Sequence, residues 1–381
     1  MMSNPGRKDL CVCLQNLQLG GGESAMTTMM NHLVEESWDV TLLLFEKKGE
    51  MLNRLDNRIK VVSLDASRSL IAVLRLIRYL RKNKPKKIMS SSVQINPLLL
   101  FAKSISRIDS KVILRVGSPL SIVFSGQKGL KNKTIHFLTY LLYRKADRVI
   151  AVSEGIADDI VSFAGVQRSK ISVIYTPKDV DLINSRANEK VPDIFEQKEG
   201  PFVVSVGRLT KQKDFPTLVK SFSIVCKKIP SAQLIIIGDG SGRKKIEALI
   251  RELHLDKNVT LAGFQENPYV FMKNSDVFVL ASLWEGLPNV LIEALICETK
   301  IVATDAPMGG SREILDPQGD YSKRIKSEIK FVEYGILTPI ADQENLAKAI
   351  TASLDQGKVK KIPWFLTEDV FKLYRDILLS A

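Results

Sequence analysis

Short, almost wholly apolar runs recur along this 381-residue chain, each followed by a turn and a longer segment of helical period, and no other feature restricts its fold as much. Residues 10–14, 40–45, 61–64, 87–90, 112–116 and 148–152 form a first set. Residues 203–206, 233–237, 259–261, 277–281, 300–304 and 335–337 form a second. Runs of this kind suit parallel strands buried on both faces, and their alternation with helices predicts doubly wound α/β sheets. With 45% hydrophobic residues the chain can fill two such cores. Between the sets lies a polar stretch of low periodicity. The expected division is a first domain over 1–178, a linker over 179–200, a second domain over 201–363 and a terminal segment 364–381, with a last helix over 367–379.

The stretch 277–295 reads VFVLASLWEGLPNVLIEAL. Its apolar start predicts a strand, Gly286 permits an unusual backbone angle in the loop, and Pro288 suits a first helical turn. Glu285 sits on the loop and Glu293 lies eight residues on, about two turns into the helix. This E-x7-E spacing lets two carboxylates reach opposite ends of one extended ligand at the carboxyl end of a parallel sheet.

Other strand-end loops carry complementary groups. After 203–206 come Gly207, Arg208 and Lys213, with a helix from about Asp214; a forked cation and a point cation at a strand end suit a diphosphate. After 10–14, Gly20, Gly21 and Gly22 lead into a helix from about Glu23, which is either an ordinary strand-to-helix turn or a phosphate cradle. It is not the G-x-G-x-x-G dinucleotide fingerprint. The loop after 300–304 opens Gly309 and Gly310 to a phosphate.

The formal net charge of +13 is unevenly distributed. Residues 1–190 hold 30 Lys and Arg against 17 Asp and Glu, whereas residues 191–381 hold 25 of each. No acid occurs from Ala66 to Ile108, while Arg68, Arg75, Arg78, Arg81, Lys82, Lys84, Lys86, Lys87, Lys103 and Arg107 fall there. Such a field draws an anionic surface or substrate. The segment 70–82 reads as a helix with Leu70, Val73, Leu74, Ile77 and Leu80 on a core face and Arg75, Arg78 and Lys82 on another. That basic face is either solvated or laid against an anionic membrane, where each cation contributes about 1 kcal/mol. Nothing resembles a nucleic-acid module, so no nucleic acid is expected as a partner. No run is long enough to span a bilayer and no N-terminal apolar run follows a basic start in the manner of a signal peptide, so the expected location is cytoplasmic, peripheral to the inner face of the cell membrane. The four cysteines, Cys11, Cys13, Cys226 and Cys297, lack the spacing of a metal knuckle and read as core thiols.

Taken together, the E-x7-E stretch, the glycine loop, the GRLTKQK loop and the segment ADRVIAVSEGIADDI at 146–160 resemble the retaining nucleotide-sugar glycosyltransferases of family 4, of the GT-B type. The resemblance covers most of the chain. It implies two Rossmann-like domains facing each other across a cleft, the last helix crossing back to the first domain, and no metal; Asp179-x-Asp181 then belongs to a hinge. It implies a catalytic set of Glu285, Arg208 and Lys213, with Glu285 holding sugar hydroxyls and stabilising charge at the anomeric carbon while the two cations neutralise the leaving diphosphate. Donor contacts would come from Glu293 to the ribose, from Gly263 and Phe264 at the base, and from Gly286, Leu287, Pro288 and Asn289, with Gly21 and Gly22 at the phosphate or acceptor. The implied substrates are a UDP-sugar, with no separate cofactor, and a lipid-linked glycan of surface polysaccharide such as O-antigen or capsule. Retention would follow a front-face route in which a donor phosphate oxygen helps to deprotonate the acceptor. Relatives often carry a first-domain histidine after the strand corresponding to 112–116; here the segment reads RVGSPLS, leaving Arg115 or Ser118 as candidates. Two other readings remain at this point. A sugar-nucleotide epimerase would convert donor without acceptor, and a non-catalytic membrane-bound sugar-nucleotide binding protein would bind without turnover.

Overall fold

The structure, a computed structural model, describes residues 8–18, 20–66, 70–125, 130–196, 199–355 and 369–380. Arg68 and the expected helix start at Thr367 lie outside them. Two compact units emerge, one of residues 1–178 with 367–381 and one of residues 179–366.

In the first unit the strands are β1 (Asp9–Leu14), β2 (Asp39–Leu44), β3 (Lys60–Ser63), β4 (Lys87–Ser90), β5 (Lys111–Val116), β6 (Arg148–Ala151) and β7 (Ile171–Val173). All pair in parallel in the order 3-2-1-4-5-6-7. The helix Asp369–Ser380 closes this unit from far along the chain: Val370, Tyr374, Ile377 and Leu378 join Leu10, Met29 and Leu33 in one buried cluster. Cys11 and Cys13 are buried and free, and burial pushes the Cys11 thiol up to about 12.

The second unit repeats the plan with β8 (Phe202–Val206), β9 (Gln233–Ile237), β10 (Val259–Gly263), β11 (Val277–Leu280), β12 (Lys300–Thr304), β13 (Lys330–Val332) and β14 (Gly335–Thr338). Their order is 10-9-8-11-12-14-13, parallel except for the antiparallel β13–β14 edge. Each sheet thus turns its strand order between two central neighbours, β1 and β4 in one and β8 and β11 in the other. At such a switch point the loops at the carboxyl ends diverge and leave a crevice for ligand. Among the described residues no helix is long and apolar enough to cross a membrane.

Three expectations need correction. The segment 179–200 is not all linker, because Asp179 caps a helix, Val180–Ala187, by accepting from the Leu182 amide at 2.9 Å. Ile183 and Ala187 are buried as that helix packs on the helices Tyr269–Lys273 and Asn289–Ile296, and Asn267 Nδ2 donates to the Arg186 carbonyl at 2.8 Å. Eight residues are too few for a periodic signal, whereas the cap and contacts suffice to hold them. β7 and β13, three residues each, were missed for the same reason. The third correction concerns the helix Leu70–Asn83, whose core side is Ala72, Leu76, Ile77 and Leu80. Leu70 is 84% and Leu74 65% exposed. Apolar residues surround the start of this helix on several sides, and packing against the neighbouring helix Ile95–Ser106, rather than period, selects the buried stripe.

Candidate functional site

The second unit's switch point collects the charged residues. β8 runs into Gly207, Arg208 and a short turn, Lys211–Lys213, before the helix Phe215–Lys228, which has Pro216 in its first turn. Beside it β11 runs into the loop 281–288 and the helix Asn289–Ile296. The two loops are laced together: the Leu283 amide donates to the Gln212 carbonyl at 2.8 Å, and Gln212 Nε2 donates to the Trp284 carbonyl at 2.9 Å.

This lacing seats Glu285, which is 6% exposed. Lys213 Nζ lies 2.6 Å from its Oε1, Ser282 Oγ donates to the same oxygen at 2.7 Å, and Gln212 Nε2 reaches Oε2 at 3.4 Å. Ser282 is itself held, its carbonyl accepting from Thr304 Oγ1 at 2.6 Å. With the carboxylate buried and the ammonium only partly exposed, the pair is worth keeping whole, since removing Lys213 would strand the Glu285 charge in low dielectric. Arg208 differs. It lies on the same loop as Lys213, is exposed, and its side chain makes no ion pair among the described residues.

A third loop leaves β12. Asp305 and Arg312 form a forked, buried pair, with Arg312 Nε donating to Asp305 Oδ1 at 3.1 Å and a second, shorter contact from its other nitrogen to Oδ2. The Ile325 amide adds a bond to Asp305 at 2.8 Å. Between them Gly310 passes so close to the 281–288 loop that a Cβ there would lie 2.1 Å from the Gly286 carbonyl oxygen. Gly286 and Gly310 therefore meet backbone to backbone, bringing the two loops to one place. A similar approach joins β8 to β9, where a Cβ on Gly238 would lie 2.1 Å from the Gly207 carbonyl oxygen.

Of the remaining expected residues, Glu293 is half-buried and lies about one turn into its helix, not two, because the helix starts only at Asn289; it is next to the Cys297 thiol, which burial chiefly and the Glu293 carboxylate secondarily push up to about 12. Gly263 ends β10 in a left-handed conformation and Phe264 after it is 59% exposed. Leu287 is buried. Pro288 precedes the first helical residue, Asn289, instead of lying inside the turn. Gly21 and Gly22 belong to the first unit, where the helix starts at Gly21, two residues before Glu23; a Cβ on Gly22 would meet nothing within 4 Å, so this glycine leaves open space at a helix start. Arg115 faces inward, donating to Ser91 at 3.1 Å, Thr176 at 3.0 Å and Tyr374 at 2.9 Å, while Ser118 is exposed. Arg115 is therefore a structural tie of the first unit.

Gln212, Ser282, Thr304, Asp305 and Arg312 were not singled out from the sequence. Ser282 lies three residues before Glu285 and Gln212 adjoins Lys213, but neutral polar residues at such offsets carry no rule of their own. The Asp305–Arg312 spacing has none either.

Residues 187–362 match the family model described as glycosyl transferases group 1, and residues 19–182 match glycosyltransferase family 4. An uncharacterized glycosyltransferase of Methanocaldococcus jannaschii is 34% identical over 69% of this chain and 66% of its own length. The N-acetylgalactosamine-N,N'-diacetylbacillosaminyl-diphospho-undecaprenol 4-alpha-N-acetylgalactosaminyltransferase of Campylobacter jejuni is 32% identical over 59% of this chain and 55% of its own length. The chain thus spans just under two thirds of the first relative and little more than half of the second. Among solved structures, Anabaena HepE in complex with UDP and glucose superposes with a TM-score of 0.77 over 98% of this chain and 100% of that one, at 18% identity. The fold is GT-B.

Proposed function

The chain belongs to the glycosyltransferases, with a family 4 first unit and a group 1 second unit, and from that premise we propose that it is a retaining transferase using a UDP-sugar. It moves a hexose or N-acetylhexosamine to a lipid-linked glycan in the synthesis of a surface polysaccharide. The observation that carries this reading is the Lys213–Glu285 pair, its carboxylate buried and its ammonium partly so, at the switch point of the second sheet, on whose first loop Arg208 is exposed. A carboxylate held by three donors has a fixed direction before substrate arrives, which is the preorganisation that stabilises charge developing in a transition state. Glu285 holds sugar hydroxyls and faces the cationic character at the anomeric carbon. Arg208 and Lys213 take up the negative charge of the leaving diphosphate, and Glu293 accepts from the ribose. Gly263, Phe264 and the residues 286–289 line the rest of the donor, and Gly21 and Gly22 serve a phosphate or the acceptor. Neither carboxylate is used as a covalent nucleophile; a donor phosphate oxygen assists deprotonation of the acceptor on the front face.

The relative from Campylobacter jejuni is named for a diphospho-undecaprenol acceptor, which supports a lipid-linked acceptor here. The basic first unit supports attachment at an anionic membrane, on its inner face. Calorimetric titration with UDP, GDP and NAD, on the wild type and on Glu293→Ala, tests the donor site. UDP should bind alone and lose affinity in the variant; binding of no nucleoside diphosphate would overturn the assignment.

A further inference from the structure

Between β9 and the helix Arg243–Glu252 the second unit carries a glycine-rich turn, GDGSG at 238–242. Backbone hydrogen bonds fix it on both sides. The Leu209 amide donates to the Asp239 carbonyl at 2.9 Å and the Gly242 amide donates back to the Leu209 carbonyl at 2.8 Å, so the turn is joined to the loop that carries Arg208. A Cβ on Gly240 or Gly242 would lie 2.7 or 2.8 Å from the Leu209 carbonyl oxygen, which is why no larger residue fits this approach. On the other side the Gly238 amide donates to the Gly263 carbonyl at 2.7 Å. The ends of β8, β9 and β10 therefore form one backbone platform, and Arg243 is the first residue of the helix that leaves it. Its guanidinium has a set direction. Nε donates to Glu247 Oε1 at 2.8 Å, and Nη1 lies 3.7 Å from Asp239 Oδ2. The same Nη1 would stand 3.9 Å from a Cβ placed on Gly263, and apart from the chain neighbours no other described atom would come within 4 Å of that Cβ. Over the left-handed Gly263 there is thus open space, bounded by the Arg243 guanidinium and followed in the chain by the exposed Phe264. Nη2 of Arg243 has no hydrogen bond among the described residues.

We propose that Arg243 selects the base of the donor: with a pyrimidine seated over Gly263, the terminal nitrogens of Arg243 donate to the 4-oxo group of uracil, and Glu247 is the positioning residue that aims them. The strand order sets which edge of the base arrives there. β11, β8, β9 and β10 are consecutive neighbours, and three spacings of about 4.8 Å put β10 roughly 14 Å from β11. A donor with its diphosphate at the β8 and β11 loops must extend along the platform to reach β10, ribose first and base last, so the edge opposite the glycosidic bond lies outermost. In uracil that edge presents a carbonyl, and in cytosine an amino group. A guanidinium has donors and no acceptor, so it pairs with the first and opposes the second. A site built to hydrogen-bond one group rejects the analogue that lacks it, because its own donors are then left unpaired. The inference rests on the UDP-sugar reading above, and the two are separable because Arg208 bears on the diphosphate and Arg243 on the base.

Calorimetric titration of the full chain with UDP and with CDP, on the wild type and on Arg243→Met, Glu247→Ala and Arg208→Ala, tests it. The wild type should prefer UDP by roughly tenfold or more. Arg243→Met keeps the length of the side chain and removes its donors, so UDP affinity should fall roughly tenfold to a hundredfold while CDP affinity is nearly kept, and the preference should vanish. The retained CDP affinity also shows that the variant folds. Glu247→Ala leaves Arg243 charged but no longer aimed, and should cut the UDP preference by about threefold to tenfold. A pair that served stability alone would lower the melting temperature of that variant and leave the preference unmoved. Arg208→Ala should weaken UDP and CDP by the same factor. A wild type that prefers UDP, with the preference intact in Arg243→Met, would overturn the inference and leave the donor reading standing. Equal binding of UDP and CDP by the wild type would do the same, whereas binding of neither would overturn both.

Discussion

At the carboxyl end of β5 in the first unit, Arg115 gives its donors to three neutral oxygens, those of Ser91, Thr176 and Tyr374. The strand in the same position of the second sheet, β12, is followed by Asp305, whose carboxylate is gripped by Arg312. The pattern extends outward. In the second unit Lys213 meets Glu285, and the residue counts of the chain's second half balance. In the first unit the cations of 66–108 have few acids to meet. One strand plan therefore carries two electrostatic designs: a unit whose strand-end charges, Arg208 apart, are matched internally, leaving an organised site, and a unit whose excess positive charge is directed outward.

The firmest test of internal matching is Asp305→Ala. It leaves Arg312 buried without its forked partner and should cost about 3–5 kcal/mol. The loss should appear in thermal unfolding as a fall in the second unit's transition, with the first unit's unmoved; an unchanged melt would remove the pair from any structural role. Next in size, Glu285→Gln keeps the Ser282 contact but discharges the carboxylate, so sugar transfer should fall roughly 10²–10³-fold while UDP affinity is nearly kept. Retention of the wild-type initial rate would exclude Glu285 from the chemistry. Arg208→Ala removes a cation that is not engaged within the protein, and calorimetry should show UDP binding weakened by roughly 1.5–3 kcal/mol with no change in melting. Full affinity in that variant would sink the diphosphate role. The smallest effect belongs to the first unit: Tyr374→Phe deprives Arg115 of one neutral acceptor and should cost about 1–2 kcal/mol, confined to the first unit's transition. A matching fall in the second would show that the units do not unfold separately.

The strand and helix alternation was legible because parallel strands buried on both faces leave apolar runs that survive any detail of packing. What period could not supply was orientation. Leu70 and Leu74 sit at a core-like spacing, yet the contacts of the helix Ile95–Ser106 turn a different stripe inward and leave them exposed. Short elements such as β7, β13 and the helix Val180–Ala187 fall below the length at which a period exists. In the candidate site, Glu285, Lys213 and Arg208 could be proposed because charge at a strand end is visible in one dimension. Their mutual distances were not. Gln212, Ser282 and Thr304 act through neutral hydrogen bonds, and such partners become apparent only once the loops after β8, β11 and β12 have been brought together.

The helix Asp369–Ser380 completes a core begun at Leu10, and its Tyr374 reaches Arg115 alongside Thr176, the residue two before the first unit gives way to the second. Order along the chain and order of completion are consequently reversed. On a ribosome the second unit, an unbroken segment, can close as soon as residue 366 has emerged, while the first, though begun earlier, waits for residues 369–380. During that interval the apolar side of β1 and of the helix Gly21–Glu35 lacks its cover, so the nascent chain is most exposed to proteases and chaperones just before synthesis reaches that helix.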